Sequence, residues 1–180
     1  MREQNRLTTF SASYVAVVTS KQSQLGLTAQ KTMIMPGSVR YEVDLSKLNQ
    51  NMLSWDAAGN KLSVTLPPVE VVGPDVDINA IRQYDNGGIL MTFTDAGAKL
   101  DEANRRAAQE ELMRQARAEP QIRLARDAAR RAIERSFAMP LRAAGLNATV
   151  EVIFADEARG TDHEVWDMSR RPADVIANMK

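Results

Sequence analysis

The chain has 180 residues, 44% of them hydrophobic and 26% charged, with 23 basic and 23 acidic side chains. This suits one folded domain with a real apolar core and excludes wholesale disorder. The zero formal charge argues against a general nucleic-acid or membrane-surface binder, and the absence of cysteine excludes disulfides, zinc-thiolate sites and thiol nucleophiles.

No stretch approaches the run of about 18 apolar residues that a membrane span needs. Met1 to Arg6 is polar and Phe10 to Val18 is interrupted by Ser11, Ser13 and Tyr14, so no signal peptide is visible. The chain reads as soluble.

The first half reads as strands. Between Leu7 and Thr19, apolar residues alternate through Phe10, Ala12, Tyr14, Ala16 and Val18. Lys21 to Leu27 is polar with Gly26 and reads as a loop. Thr32 to Met35 is β-compatible, and Pro36-Gly37 reads as a turn or strand break. Val39, Tyr41, Val43 and Leu45 share one face of the next strand, with Arg40, Glu42 and Asp44 on a solvated face. A short helical turn is expected between Asp44 and Leu53. A turn follows at Ala57 to Asn60, then a strand with Leu62, Val64 and Leu66 inward, ended by Pro67-Pro68. Val69 to Val72 and Asp75 to Tyr84 read as a further strand bent at Gly73-Pro74. Asp85-Asn86-Gly87-Gly88 reads as a turn and Ile89 to Phe93 as a returning strand.

The chemistry changes at Thr94. Thr94 or Asp95 suits an N-cap, and Ala96 to Ala118 is rich in strong helix formers. The expected apolar stripe is Ala96, Leu100, Ala103 and Ala107, then Leu112, Met113 and Ala116. Pro120 either kinks one long helix or opens a second. Gln121 to Ala144 is clearly amphipathic, with Ile122, Ala125, Ala129, Ile133 and Phe137 on one face and Gly145 placed as C-terminal cap. Val150, Val152 and Phe154 mark a closing strand. The predicted fold is therefore α+β: a β-rich half with an antiparallel or mixed sheet, two long Ala/Arg-rich helices, then a C-terminal strand. The expected division is one domain over 1–155, with strands in 7–93, helices in 95–144 and a strand at 148–154. A polar tail over 156–180 follows, which either docks or moves freely.

Candidate chemistry is sparse. His163, the only histidine, lies in Thr161-Asp162-His163-Glu164 and has no second metal ligand at a defined spacing. Asp75, Asp77, Asp85 and Asn86 do not match a calcium loop and read as turn residues. No glycine-rich phosphate loop, nucleophile elbow or zinc-protease helix occurs. No catalytic, cofactor or metal residue is assigned, and no cofactor is expected. Residues 95–145 hold 11 basic and 8 acidic side chains. Arg123, Arg126, Arg130 and Arg131 there form a candidate face for an anionic polymer or lipid, though interleaved acids more often mark a solvated helix face. A hydrolase or ligand-binding enzyme built on dispersed carboxylates is an alternative reading, since such residues need not be near in sequence.

Two stretches resemble a known family. Gly37-Ser-Val-Arg-Tyr-Glu-Val-Asp-Leu-Ser-Lys-Leu48 is similar to the G-x-V-x-x-G-V-D-L-S-K-hydrophobic pattern of the domain of unknown function 4230, with Glu42 at the family's usual glycine. Asn60-Lys-Leu-Ser-Val-Thr-Leu-Pro-Pro-Val-Glu70 resembles that family's strand ending in Leu-Pro. The likeness runs roughly from Leu7 to Phe154. It implies a bacterial protein, often carrying an N-terminal membrane anchor ahead of this domain, and no activity to transfer. The expectation is a non-enzymatic cell-envelope domain that binds a protein partner or self-associates, with a cytoplasmic location as the alternative. Asp44 and Ser46 are expected to cap backbone N–H groups where a strand ends.

Overall fold

A β-hairpin is the axis of the fold. The computed structural model describes residues 5–24, 26–86 and 94–160. In it β1 (Arg6–Gln24) and β2 (Leu27–Asp44) pair antiparallel from Arg6–Asp44 to Gln24–Leu27, with one bulge at Thr9. Gly26 closes the turn at φ +78°, a left-handed conformation that costs glycine little. Two expectations are corrected here. Residues 21–24 continue β1, with Ser23 and Thr28 hydroxyls meeting across the ribbon at 3.1 Å, so only the tip of the expected loop remains. Pro36-Gly37 does not break β2 either.

The reason lies on the far edge of β2. There β5 (Glu70–Val76) pairs with Gly37–Glu42, and β6 (Arg82–Asn86) pairs with Gln30–Ile34. Pro36 falls between these two ladders, so its missing N–H faces a gap and no sheet bond is lost. The bend at Gly73-Pro74 is a bulge: both residues stand opposite the single Val39, with Gly73 at φ +127° and a cis bond to Pro74. The break in the expected strand falls later, in a 3-10 turn at Ile78–Ala80 that Asp77 caps by accepting from Asn79 N–H. Asp85 and Asn86 belong to β6 rather than to a turn. The expected returning strand at 89–93 lies outside the described residues.

A second sheet has the order β3 (Leu53–Asp56), β4 (Lys61–Leu66), β7 (Thr149–Phe154), with β7 parallel to β4. Short 3-10 turns at Leu45–Lys47 and Gln50–Met52 lead into it, capped by Asp44 and Asn49.

Two helices join the sheets. Thr94 Oγ1 accepts from Ala96 N–H at 3.2 Å as α1 (Ala96–Ala116) begins. Pro120 sits in the first turn of α2 (Glu119–Ala143), where its missing donor costs nothing. Gly145, at φ +79°, ends α2: its N–H reaches Arg142 O and that of Leu146 reaches Leu141 O, each at 2.9 Å. This double closure is the Schellman arrangement.

The inner line of α1 is Ala96, Leu100, Asn104, Ala108, Leu112 and Ala116, a step of four at every position. Ala103 and Ala107, expected on the stripe, give way to Asn104 and Ala108. Four residues overshoot one 3.6-residue turn by about 40°, so the contact line winds around α1 as the ribbon beneath it twists. Asn104 is tolerated in the core because its Nδ2 donates to Lys31 O at 2.8 Å, next to the Lys31–Asp101 ion pair at 2.5 Å. Small side chains on α1 let it lie close on Ala16, Ala29, Met33 and Met35. Where α1 ends, Tyr41 OH donates to Ala116 O at 2.8 Å and accepts from Tyr14 OH at 2.7 Å. Burial pushes the Tyr41 phenol up, so it stays a donor across the physiological range.

As expected, Ala125, Ala129 and Ile133 are buried, with Ile122 and Phe137 packed beside them. They close a core with Val43 of the first sheet and Val64, Leu66, Val152 and Phe154 of the second. After β7 the chain turns into α3 (Ala155–Gly160). His163 and the remainder of the tail lie outside the described residues.

Candidate functional site

The outer face of the hairpin carries uncovered apolar side chains. Opposite residues in an antiparallel ladder share a face. The register places Val15 beside Pro36, Val17 beside Ile34 and Arg82, and Thr19 beside Thr32 and Tyr84. Val15, Val17 and Tyr84 are 54%, 63% and 57% exposed. β1 pairs only with β2 and so forms the sheet edge. Pro36 cannot donate, so the Val15/Pro36 pair is one whose backbone groups point away from each other. Ser13, Val15, Val17 and Thr19 therefore aim N–H and C=O at the open edge. The contact from Gln115 Nε2 to Val15 O, at 3.4 Å, agrees with this. From Phe10 to Ser20 β1 carries no charge, proline or glycine, the usual guards of an exposed edge. Sequence reading missed this surface. The uncharged run was visible, but its edge position follows only from pairing.

The residues of the two family-like stretches meet at the other end of β2. Asp44 Oδ1 accepts from Ser46 N–H at 3.1 Å, the cap expected of it, whereas the Ser46 hydroxyl, expected to cap as well, instead donates to the same oxygen at 2.5 Å. Glu70 takes Lys47 Nζ at 2.5 Å and Arg6 at 2.8 Å, while Arg40 bridges Glu42 at 3.3 Å and Asp75 at 2.5 Å. Glu42 is thus buried under its neighbours rather than solvated. The Lys47 hydrogen bond, with Arg6 beside it, holds the Glu70 carboxyl below its ordinary range, and the Ser46 hydroxyl does the same for Asp44. Carboxylates held ionised in this way do not serve as general acids near neutrality. Chemically the cluster is a clasp joining β1, β2, the Leu45–Lys47 turn and β5.

The four arginines of α2 divide into two pairs. Arg126 pairs with Asp156, and Arg130 binds Glu157 at 2.6 Å and Asp127 at 2.8 Å. Both guanidinium groups lie over the Phe154 ring, at 5.6 and 5.4 Å from its centroid. Arg123 and Arg131 are exposed, with no ion pair among the described residues. The structure brings Arg126 and Arg130 together, but on acids of the chain itself.

A family model described as a protein of unknown function, DUF4230, matches residues 1–152. The chain belongs to the DUF4230 family. No curated protein and no solved structure matches it. The match covers the hairpin, the clasp, both sheets to Val152 and both long helices, and stops short of Asp156 and Glu157. Among the described residues of this DUF4230 chain, no helix is long and apolar enough to cross a membrane.

The clasp should make the DUF4230 domain acid-sensitive. An unfolded Glu titrates near 4.3 and an Asp near 3.9. Their folded values lie lower, so their stabilisation is complete above those figures and is lost as pH falls through the folded values. Glu70→Gln should therefore lower stability at neutral pH yet flatten its decline below about pH 5. Urea midpoints measured across that range test this, and parallel pH profiles for both proteins would refute it.

Proposed function

We propose that this chain is a non-enzymatic domain that self-associates through the open edge and outer face of β1. The observation that supports this is the run of uncharged, edge-directed backbone from Phe10 to Ser20, flanked by exposed Val15 and Val17. A second copy fits it in antiparallel register. With the two-fold axis between Val15 and Val17, each Val15 faces the partner's Val17, Ser13 faces Thr19, and Lys21 faces Ser11 without charge conflict. Main-chain bonds supply the affinity and the merged valine faces the apolar contact. Gln115, whose hold on Val15 is long, swings aside. A different protein offering an extended apolar segment is the other class of occupant.

Sedimentation velocity on the purified chain tests the reading. The expected result is a concentration-dependent dimer that Val17→Lys abolishes with the circular dichroism spectrum unchanged, because a lysine on an edge strand blocks pairing. Monomers of both proteins throughout would overturn self-association. The family likeness further supports placement at a bacterial envelope, and membrane fractionation of the native full-length product would remove that part if the product proved wholly cytosolic. Anion binding through Arg123, Arg126, Arg130 and Arg131 has weaker support, since Asp156 and Glu157 already occupy two of the four. A carboxylate enzyme is similarly disfavoured by the clasp, where each acid has a basic partner.

A further inference from the structure

A groove of about 330 Å³ opens between the inner edge of the first sheet and α1. Its floor and walls are Met35, Pro74, Val76, Ile78 and Ile81. Met35 is buried, while Ile78 on the 3-10 turn stands 78% exposed at the opposite rim. Arg105 and Gln109, one helical turn apart, form the polar side of the mouth. Neither makes a side-chain hydrogen bond or ion pair among the described residues, unlike neighbouring Arg106, which pairs with Glu102 at 3.2 Å. An apolar slot with one uncommitted cation and one amide at its entrance has the makings of a small-ligand site.

We propose that this groove binds a single-chain anionic amphiphile, its carboxylate on Arg105 and Gln109 and its alkyl chain along Val76, Ile81 and Met35. Charge fixes the sign of the head group, because an unpaired guanidinium favours a carboxylate and repels an ammonium. Size fixes the tail. A water in the liquid takes about 30 Å³, so 330 Å³ holds about eleven atoms of that size, one medium-length chain. The two tails of a bilayer lipid exceed it. The site is separate from the outer face, since Met35 and Val76 belong to the side of the sheet that α1 covers.

Isothermal titration with sodium decanoate below its micelle concentration tests the proposal, with decyltrimethylammonium and 1-decanol as matched probes and decanoate-free phosphatidylglycerol vesicles as the bilayer source. Decanoate should bind at one site, the cationic probe should not, and Arg105→Gln should weaken decanoate about tenfold, the loss of one charge-assisted bond, while leaving 1-decanol unchanged. Ile78→Ser, on an exposed side chain, should weaken both. The proposal is overturned by no decanoate binding, by equal binding of the cationic probe, by an Arg105→Gln variant of unchanged affinity, or by vesicles binding in place of decanoate.

Discussion

Replacing Phe154 by alanine should destabilise the protein by about 3–5 kcal/mol, the range for deleting a buried aromatic ring. Phe154 is fully buried and touches the cluster of Val43, Val64, Leu66, Ala129, Ile133 and Val152, so both sheets and α2 border the space it would leave. That space is hard to refill. Its α2 side is Ala129 and the β-branched Ile133, and its other walls are fixed in strands. The ring also carries Arg126 and Arg130 on its face, so its loss loosens the hold of α3 on α2. Domains of this size have only about 5–15 kcal/mol in total, and the variant should sit near its unfolding threshold. Phe154→Leu, which keeps most of the volume, should cost far less, about 1–2 kcal/mol. Urea unfolding of the three proteins decides the matter. A loss below about 1 kcal/mol for the alanine variant would mean that Phe154 does not join these elements.

The second large effect couples Gly37 with Leu112. A Cβ built at Gly37 would lie 2.9 Å from Leu112 Cδ1, closer than carbon atoms approach, and 3.4 Å from Asp75 O. Gly37→Ala should therefore cost about 1–3 kcal/mol through overpacking. Leu112→Ala should cost about 2.7–5 kcal/mol, because Leu112 is fully buried between Met33, Met35 and Ala16. Together the two should cost less than their sum, since the alanine at 37 then occupies space that the leucine vacated. A double-mutant cycle should give a favourable coupling of at least about 0.5 kcal/mol. Additive losses would place Leu112 off the Gly37 surface and shift α1 on the ribbon.

Alternation and helix chemistry were legible in the residues. Val39, Tyr41 and Val43 point inward as their period demands, Leu62, Val64 and Leu66 likewise, and Gly145 ends α2 where its freedom suggested. What resisted reading was whatever depends on a partner far along the chain. Pro36 looks like a break until the gap between β5 and β6 is known. Asn104 looks like a surface residue until Lys31 O, 73 positions away, is seen to receive it. The four α2 arginines look like an open basic face until Asp156 and Glu157 fold back on two of them. The same limit hid the interaction surface. Ser13, Val15 and Val17 state that a strand is uncharged, not that it lies at an edge.

The four-residue step of α1 sets a rule for length. Two residues of β2 advance about 6.6 Å and four residues of α1 about 6.0 Å, so each inward rung of the ribbon meets nearly one step of the helix. β1, β2 and α1 behave as a vernier with a shared unit. The arm formed by the hairpin and its helix can grow or shrink by two residues in each strand and four in the helix, keeping every inward side chain in phase. A change in any one of the three alone puts the rest out of step. The reach of the hairpin tip beyond the clasp is thus a quantity the fold can vary in discrete increments, without altering its core at Phe154.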